Sequence, residues 1–451
     1  MDYLIGLDIG TSSVKGVLLT VEGKVAASVR SPFTYQVSGK TVEIAPDEYL
    51  QACYYAIKSL AEKARGDIKA VCASSASGNL LLLDGEGNPL TNIINWQDQR
   101  VDGEPEAVLG ELDDETIYRT VGWGFTHNSF PLAQLCCIRK HAPQLLDNCA
   151  TVCMSTEYLY YRLTGQWGIS PSAGTPFYLI DQVKGVYSDM ILSKLNIAKE
   201  KLPPIYPCGH VLGYVQENMA GACGLRAGTP VVLGSFDHPS AARGVGVLEE
   251  GHMLLSCGTS WVAFYPVRSR EKALRANMLV DPFLSADGPY AGMISLASLS
   301  EKIQNCISRL LPQTDSPFAL LSTLAEQSLP GANGLKIDPT DPPEIADIAS
   351  FSMEDVARAI MEGTVNLLKD RMDTLAEYGI TATSAVMVGG PSEDPMWCRL
   401  IEEICGVSVK VVHGSSAGAV GAALIAGIGT GIYADEKDAF NKSASTTASS
   451  I

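Results

Sequence analysis

An α/β protein built from two similar domains is the fold this sequence predicts, and three observations predict it. A strand–turn–strand pattern occurs twice: residues 4–20 read LIGLDIGTSSVKGVLLT and residues 253–267 read MLLSCGTSWVAFYPV. Each is an apolar run that breaks at Gly-Thr-Ser and resumes, the pattern of adjacent strands joined by a small-residue turn. The chain has 451 residues, more than one ordinary core takes up. In each half strands come first and alternating helix and strand follow, which makes a mixed sheet with helices on its faces.

In chain order, residues 4–9 and 14–19 form the first hairpin and residues 24–29 supply a third strand. Residues 46–65 form a helix with Leu50, Cys53, Tyr54, Ile57 and Leu60 on one face and Gly66 at its end. Strands follow at 70–74 and 80–83, with Asp84-Gly85-Glu86-Gly87 as the turn after the second. The middle is helix-rich, with helices at 131–141 and 156–163. Residues 230–233 are a strand that opens into Gly234-Ser235-Phe236-Asp237-His238, and the domain boundary falls near 244–251. In the second half Ser352 caps a long helix that Gly379 stops. Residues 385–388 are a strand running into Gly389-Gly390-Pro391-Ser392, residues 397–405 a helix and 407–412 a strand. Beyond Asp435 the tail is polar and Ser/Thr-rich, a loose end.

Composition narrows the function classes. With 46% hydrophobic and 18% charged residues the chain is globular rather than disordered. A net charge of −17 without a basic patch argues against nucleic acid and anionic membranes as partners. The least charged stretch, 414–434, holds six glycines around a short apolar core, which reads as a buried helix and loop rather than a membrane span. The start, Met1-Asp2-Tyr3, has no basic leader, so no signal peptide is expected. The twelve cysteines are scattered; only Cys149 and Cys153 stand near ligand spacing and no second pair completes a zinc site. Reduced structural thiols and a cytoplasmic location are expected.

The chemistry-bearing residues cluster at the strand ends. A Gly-Thr-Ser turn exposes N–H groups and hydroxyls that suit phosphate oxygens, Lys15 adds a point charge, and Asp8 can hold a magnesium ion. A hairpin with a polar turn is the plainer reading of the same residues. Residues 94–100, INWQDQR, present an aromatic, a carboxylate and a guanidinium; in an extended segment all three share one side. They bind hydroxyls, or Asp98 and Arg100 pair with each other beside a buried Trp96. Asp237 follows a strand end, where a carboxylate faces a cleft or caps the next helix. His238 has a structural or supporting role beside it.

These residues resemble the FGGY family of carbohydrate kinases, which includes xylulose, ribulose, glycerol and rhamnulose kinases. The matches run in the family's order through Asp8-Ile9-Gly10-Thr11 with Ser13 and Lys15, then Trp96-Gln97-Asp98-Gln99-Arg100, Tyr158 to Gly165, and Gly234 to Asp237. They continue through Ser256-Cys257-Gly258-Thr259-Ser260, Glu362-Gly363, Gly389-Gly390-Pro391-Ser392 and Gly418 to Ala423. The resemblance implies two actin-like (ribonuclease-H-like) domains around a central cleft: a sugar-binding domain over 1–246 and an ATP-binding domain over 247–451. It implies ATP and Mg²⁺, and phosphorylation of a hydroxyl on a small sugar or polyol of the ketose type. By position, Asp237 takes the catalytic base and Asp8 the metal side. Gly10, Thr11, Ser12, Ser13 and Lys15 take the first phosphate loop, and Gly258, Thr259 and Ser260 the second. Gly389, Gly390 and Asp394 fall at the adenosine turn; Ser77, Gly78, Trp96 and His238 fall at the substrate.

Three departures bear on the substrate. The Gly-Gln-Met-His-Gly stretch of xylulose kinases is Ser75-Ala76-Ser77-Gly78-Asn79 here, the Thr-Asp pair after the Tyr158 helix is Ile169-Ser170, and the Gly-Glu-Arg-Thr-Pro segment is missing. An actin-like ATPase switch or reactivase, and a degenerate kinase homologue that only binds ligand, are the alternatives. A homodimer is an open arrangement.

Overall fold

The computed structural model describes residues 1–101, 104–110, 112–124, 130–285, 288–412 and 416–448. Its packing divides the chain into two units: Met1–Leu248 with Asp281–Asp287 and Ser416–Ile451, and Glu249–Val280 with Gly288–Ser415. This division differs from the expected one at 246/247 chiefly because the described residues from Ser416 to Ala448 group with the first unit rather than the second.

The first unit is built on the strands β1 (Asp2–Ile9), β2 (Ser13–Thr20), β3 (Val25–Pro32), β4 (Asp67–Ser75), β5 (Val211–Tyr214) and β6 (Pro230–Phe236), in the order β5-β6-β4-β1-β2-β3. β1 pairs antiparallel with β2 and parallel with β4, and β4 pairs parallel with β6. The period of two along β1 sorts its side chains: Tyr3, Ile5, Leu7 and Ile9 join one core, with Tyr49, Leu50, Cys53, Ile57 and Leu60 of α1 (Pro46–Ala61) and with α2 (Ser155–Thr164). The other face carries Leu4, Gly6 and Asp8. β6 leads without a loop into α3 (Asp237–Val245).

The second unit repeats the order of five of these strands, with its sixth strand on the opposite edge. Its sheet has β7 (Gly251–Cys257), β8 (Trp261–Val267), β9 (Leu279–Pro282, whose last two residues group with the first unit), β10 (Tyr290–Leu296), β11 (Ala382–Gly389) and β12 (Ser408–Val411), ordered β12-β11-β7-β8-β10-β9. β7 pairs antiparallel with β8 and parallel with β11, as β1 does with β2 and β4. The two Gly-Thr-Ser units are therefore equivalent hairpins in equivalent sheets. Helix α4 (Met353–Glu377) starts where the Ser352 side chain accepts from the Asp355 N–H, and α5 (Pro395–Cys405) follows β11.

Two C-terminal helices return to the first unit. α6 (Ala417–Gly429) is the helix expected within 414–434, and its Ala419, Ala422, Ala423, Leu424 and Ile425 pack on Leu4, Val17 and Leu19. Among the described residues no helix is long and apolar enough to cross a membrane. The tail expected to be a loose end instead forms α7 (Glu436–Ala448). Two apolar side chains in this polar stretch account for it: Ala439 is fully buried and the Phe440 ring fills the space beside Gly246.

Contact with α6 requires glycine on three elements. A Cβ on Gly6 would overlap the Ala419 carbonyl, one on Gly244 the Ala417 carbonyl, and one on Gly421 the Ser240 carbonyl. Helices and strand approach backbone to backbone, and the Ser240 hydroxyl donates to the Gly418 carbonyl at 2.9 Å. Gly421→Ala is expected to lower unfolding stability by about 1–3 kcal/mol, whereas Gly85→Ala, with open space around it, leaves it unchanged. Urea unfolding of both variants checks this; equal midpoints would contradict it.

The strands that carry the candidate site are pinned by α2. Tyr160 Oη donates to the Ala73 carbonyl at 2.7 Å and accepts from the Gly234 N–H at 3.1 Å, tying β4 to β6. At the start of α2 the buried Glu157 accepts from the Met154 N–H at 3.0 Å, and burial pushes its carboxyl up to about 7. A raised acid binds a proton in the folded chain that the unfolded chain has released. Its contribution therefore falls as pH rises from about 4.5 through about 7. Glu157→Gln keeps an acceptor and removes the buried charge. Urea unfolding at pH 5 and pH 8 is expected to show the wild type losing about 2–3 kcal/mol more than the variant between the two; parallel losses would contradict this.

Candidate active site

The first half of the candidate site forms where β1, β6 and α6 end together. The register pairs Asp8 with Lys15 across the β1–β2 hairpin, so the two side chains stand side by side on one face. That face is the one α6 covers: a Cβ on Gly418, in the first turn of α6, would lie 2.8 Å from Asp8 Cγ. The positive end of the helix dipole therefore meets the carboxylate. Asp237 opens α3, and α3 docks on the same helix through Ser240 and Gly244. The packing of α6 on both elements brings the two carboxylates together.

Their electrostatics follow from that crowding. Asp8 is half-buried at the surface yet densely surrounded; burial and then the charge of Asp237 push its carboxyl up to about 7, against the pull of Lys15. Asp237 is also raised, by burial, with His238, its own hydrogen bond and Lys15 opposing. A carboxyl poised in this way accepts a proton more readily than an exposed one, and a cation beside Asp8 would offset the penalty there. Asp237 does not cap its helix in the usual manner: it is the first helical residue and Phe236 holds the cap position without a side-chain bond. Its Oδ1 accepts from the His238 N–H at 2.7 Å.

A run of aromatic rings links the residues expected at the substrate. Phe130 stacks on Trp96 at 6.2 Å and meets Trp123 edge-on at 5.6 Å; Trp123 meets Phe236 at 5.3 Å, and Phe236 meets the His238 ring at 5.6 Å. Gly78, with φ +69°, gives Phe130 its place, since a Cβ there would lie 2.6 Å from the ring. Ser77, also left-handed at φ +50°, has its hydroxyl 2.9 Å from that of Ser75, which accepts from Thr156 Oγ1 at 2.8 Å. Trp123 is 4% exposed and its Nε1–H has no partner among the described residues.

The segment 95–100 departs from the extended form expected of it. The Asn95 side chain accepts from the Gln97 N–H at 2.8 Å and the Asp98 N–H bonds back to the Asn95 carbonyl, which makes a turn. Trp96 goes to Phe130, while the buried Asp98 accepts from Val42 N–H at 2.8 Å and from Arg100 Nε at 2.9 Å. Of the two readings, pairing of Asp98 with Arg100 is the one observed.

Both phosphate-type turns are closed by the glycine N–H, the first over a four-residue loop and the second over a three-residue loop. Gly10 N–H bonds to the Ser13 carbonyl at 3.0 Å and Gly258 N–H to the Ser260 carbonyl at 3.1 Å. Two of the expected hydroxyls are held in place as acceptors, which leaves their own protons to donate: the buried Ser13 hydroxyl accepts from Arg30 Nε at 3.3 Å, and Ser260 Oγ accepts from Ser298 N–H at 3.0 Å. The hydroxyls of Thr11, half-buried, and of Ser12 and Thr259, both exposed, have no partner among the described residues. In the second unit β7 runs beside β11, so Cys257 pairs with Gly389 next to the turn. Gly389, at φ +102°, admits the Cys257 carbonyl, and Gly390 lies open. Asp394 caps α5 by accepting from Met396 N–H at 2.9 Å and also accepts from the Ser322 hydroxyl. The first unit thus assembles Asp8, Lys15, Asp237, His238, Trp96, Ser77 and Gly78, and the second assembles Gly258, Thr259, Ser260, Gly389, Gly390 and Asp394. Reading the sequence missed the aromatic run of Trp123, Phe130 and Phe236, which tertiary contacts alone assemble.

Comparison with known proteins places this architecture. Residues 3–244 match the N-terminal domain, and residues 253–430 the C-terminal domain, of the FGGY family of carbohydrate kinases. Xylulose kinase of Bacillus subtilis (strain 168) is 27% identical, over 96% of this chain and 89% of its own length. Autoinducer-2 kinase of Salmonella typhimurium is 24% identical, over 96% of this chain and 87% of its own. The crystal structure of xylulose kinase from Rhodospirillum rubrum superposes with a TM-score of 0.87 at 24% identity, covering 97% of this chain and 92% of that one. It shares the ribonuclease-H/actin-like fold in two domains.

Proposed function

Because this chain belongs to the FGGY family of carbohydrate kinases, enzymes that phosphorylate sugars with ATP, we propose that its acceptor is a small ketose or polyol and that Asp237 is the general base. The observation that carries the reading is the meeting of Asp8, Lys15 and Asp237 in one cluster of the first unit. The first unit, principally residues 1–246, receives the sugar. The second, within 247–451, receives the adenosine end of ATP at Gly389, Gly390 and the residues about Asp394.

The reaction needs alignment and charge shielding more than covalent help. The acceptor hydroxyl oxygen attacks the γ-phosphorus; a new P–O bond forms as the bond to the β-γ bridging oxygen breaks, and ADP leaves. The hydroxyl proton passes to Asp237. Alcohols are too weakly acidic to lose that proton early, but the oxygen becomes acidic as its bond to phosphorus forms, and a carboxylate raised by burial is then a competent acceptor. In the first unit Lys15 and the hydroxyls of Thr11 and Ser12 are the donors assigned to phosphate, and in the second unit the hydroxyl of Thr259 is. Asp8 fits a Mg²⁺ ion, since its crowded carboxylate lacks a full counter-charge; Asp8 would hold the ion, which would supply positive charge to offset that of the phosphates. Trp96 and the rings behind it cover an apolar face of the acceptor. The small Ser77 and Gly78, with Ser77 turned to Ser75, favour an acceptor other than D-xylulose.

This reading is preferred to an ATPase switch because Asp237 stands beside Asp8, where an acceptor needs a base. Asp237→Asn keeps the shape of the side chain and removes its capacity to take a proton. The variant is expected to bind ATP and acceptor nearly as the wild type does and to lose about 10²–10⁴-fold in kcat. A folded variant, by thermal melt, with near-normal kcat would contradict the assignment.

A further inference from the structure

We propose that Asp281 is a positioning residue for Asp237, acting through the Ser172 hydroxyl and the Phe236 peptide; the inference rests on the reading of Asp237 given above. Asp281 is fully buried, at the end of an apolar strand, in the short segment that packs with the first unit. Ser172 Oγ donates to its Oδ2 at 3.3 Å and Thr175 Oγ1 donates to its Oδ1 at 3.4 Å. The same Ser172 oxygen accepts from the Phe236 N–H at 3.1 Å. One directed chain therefore runs from the Phe236 amide through Ser172 to Asp281, and the amide belongs to the residue immediately before Asp237.

That amide is where the backbone most needs holding. The pairing of β6 with β4 is irregular between Leu233 and Phe236, and Phe236 is the residue at which strand becomes helix. The sheet ladder is interrupted there, and a side chain supplies the bond. Neighbouring bonds support it: Ser170 Oγ donates to the Gly234 carbonyl at 2.6 Å, and Gln182 Nε2 donates to Thr175 Oγ1 at 3.2 Å. The short helical turn that carries Ser172, Pro171–Gly174, directly follows Ile169-Ser170, and Ser170 caps it by accepting from the Ala173 N–H at 3.1 Å.

A buried carboxyl is a costly way to anchor a hydroxyl unless its chemistry matters. Asp281 forms no ion pair among the described residues. The nearby Arg243 guanidinium donates to the Phe283 carbonyl at 2.5 Å and the Pro239 carbonyl at 3.3 Å, and faces Glu436 at 3.6 Å. Burial pushes the Asp281 carboxyl well above its usual range, and the charge of Asp237 acts in the same direction. Biased in this way, the Asp281 carboxyl still accepts from the Ser172 hydroxyl and holds it toward the Phe236 amide.

The test uses the full chain with Asp281→Ala, Ser172→Ala and Asp281→Asn, assayed on D-xylulose, D-ribulose, glycerol and D-gluconate. Both alanine variants are expected to lose about tenfold or more in kcat, with acceptor KM changed by less than about twofold. Asn, neutral and able to accept from Ser172, recovers most of the loss. Hydrogen exchange by mass spectrometry over the segment holding Phe236 is expected to quicken about tenfold in the alanine variants and not in Asp281→Asn. Undiminished kcat in Asp281→Ala, or an Asn variant as impaired as Ala, would overturn the proposal. If the wild type turns over none of the four acceptors, that result counts against the proposed function. The exchange measurement then decides the positioning claim alone, since unchanged exchange refutes the chain of bonds and quickened exchange upholds it.

Discussion

The first unit depends on one steric condition: α6 has to lie against β1 and α3 at backbone contact. Gly6 on the strand, Gly244 on one helix and Gly421 on the other each lack the Cβ that would strike a carbonyl. Leu4, Gly6 and Asp8 alternate along the covered face of β1, and they meet Gly427, Ala419 with Ala423, and Gly418 in turn. The helix therefore runs down the strand until its first turn reaches Asp8. Because α3 grips the same helix, the residue that opens α3, Asp237, is carried to the same place. The final long apolar helix of the chain thus sets the separation of two carboxylates more than two hundred residues apart.

What this packing costs electrostatically is what makes it useful. Asp8, Asp237 and Asp281 are all pushed towards their neutral forms, chiefly by burial. Lys15 opposes the push at Asp8 and Asp237, while at Asp281 the hydroxyls of Ser172 and Thr175 and then the charge of Arg243 oppose it. All three are biased toward neutrality, and a cation beside Asp8 would offset part of that bias there. A phosphoryl transfer needs both a poised base and an anchoring carboxylate, and surroundings rather than residue type separate the two roles.

Much of this was legible in the sequence because it is local. The two Gly-Thr-Ser hairpins announce the repeated sheets, and Asp237 stands one residue beyond a strand that its composition makes plain. The buried character of α6 follows from its small and apolar residues. Other features were hidden because distant residues decide them. Asp281 acquires its role from Ser172, 109 positions away, and Phe130 and Trp123 enter the aromatic run through tertiary contacts alone. The Trp96 segment misled because Asn95 competes for the backbone and bends it into a turn. The polar tail misled because two apolar side chains, Ala439 and Phe440, were enough to dock α7.

The central claim is that the Asp237 cluster serves transfer to a hydroxyl acceptor rather than ATP hydrolysis by itself. The direct measurement is ADP release from ATP and Mg²⁺ with and without each member of a panel of ketoses, polyols and sugar acids, with the product examined by mass spectrometry. The account predicts ADP release that depends on one or a few acceptors, matched one for one by acceptor that has gained a phosphoryl group. ADP release at the same rate with no acceptor, or ATP binding without acceptor-dependent turnover across the panel, would contradict it.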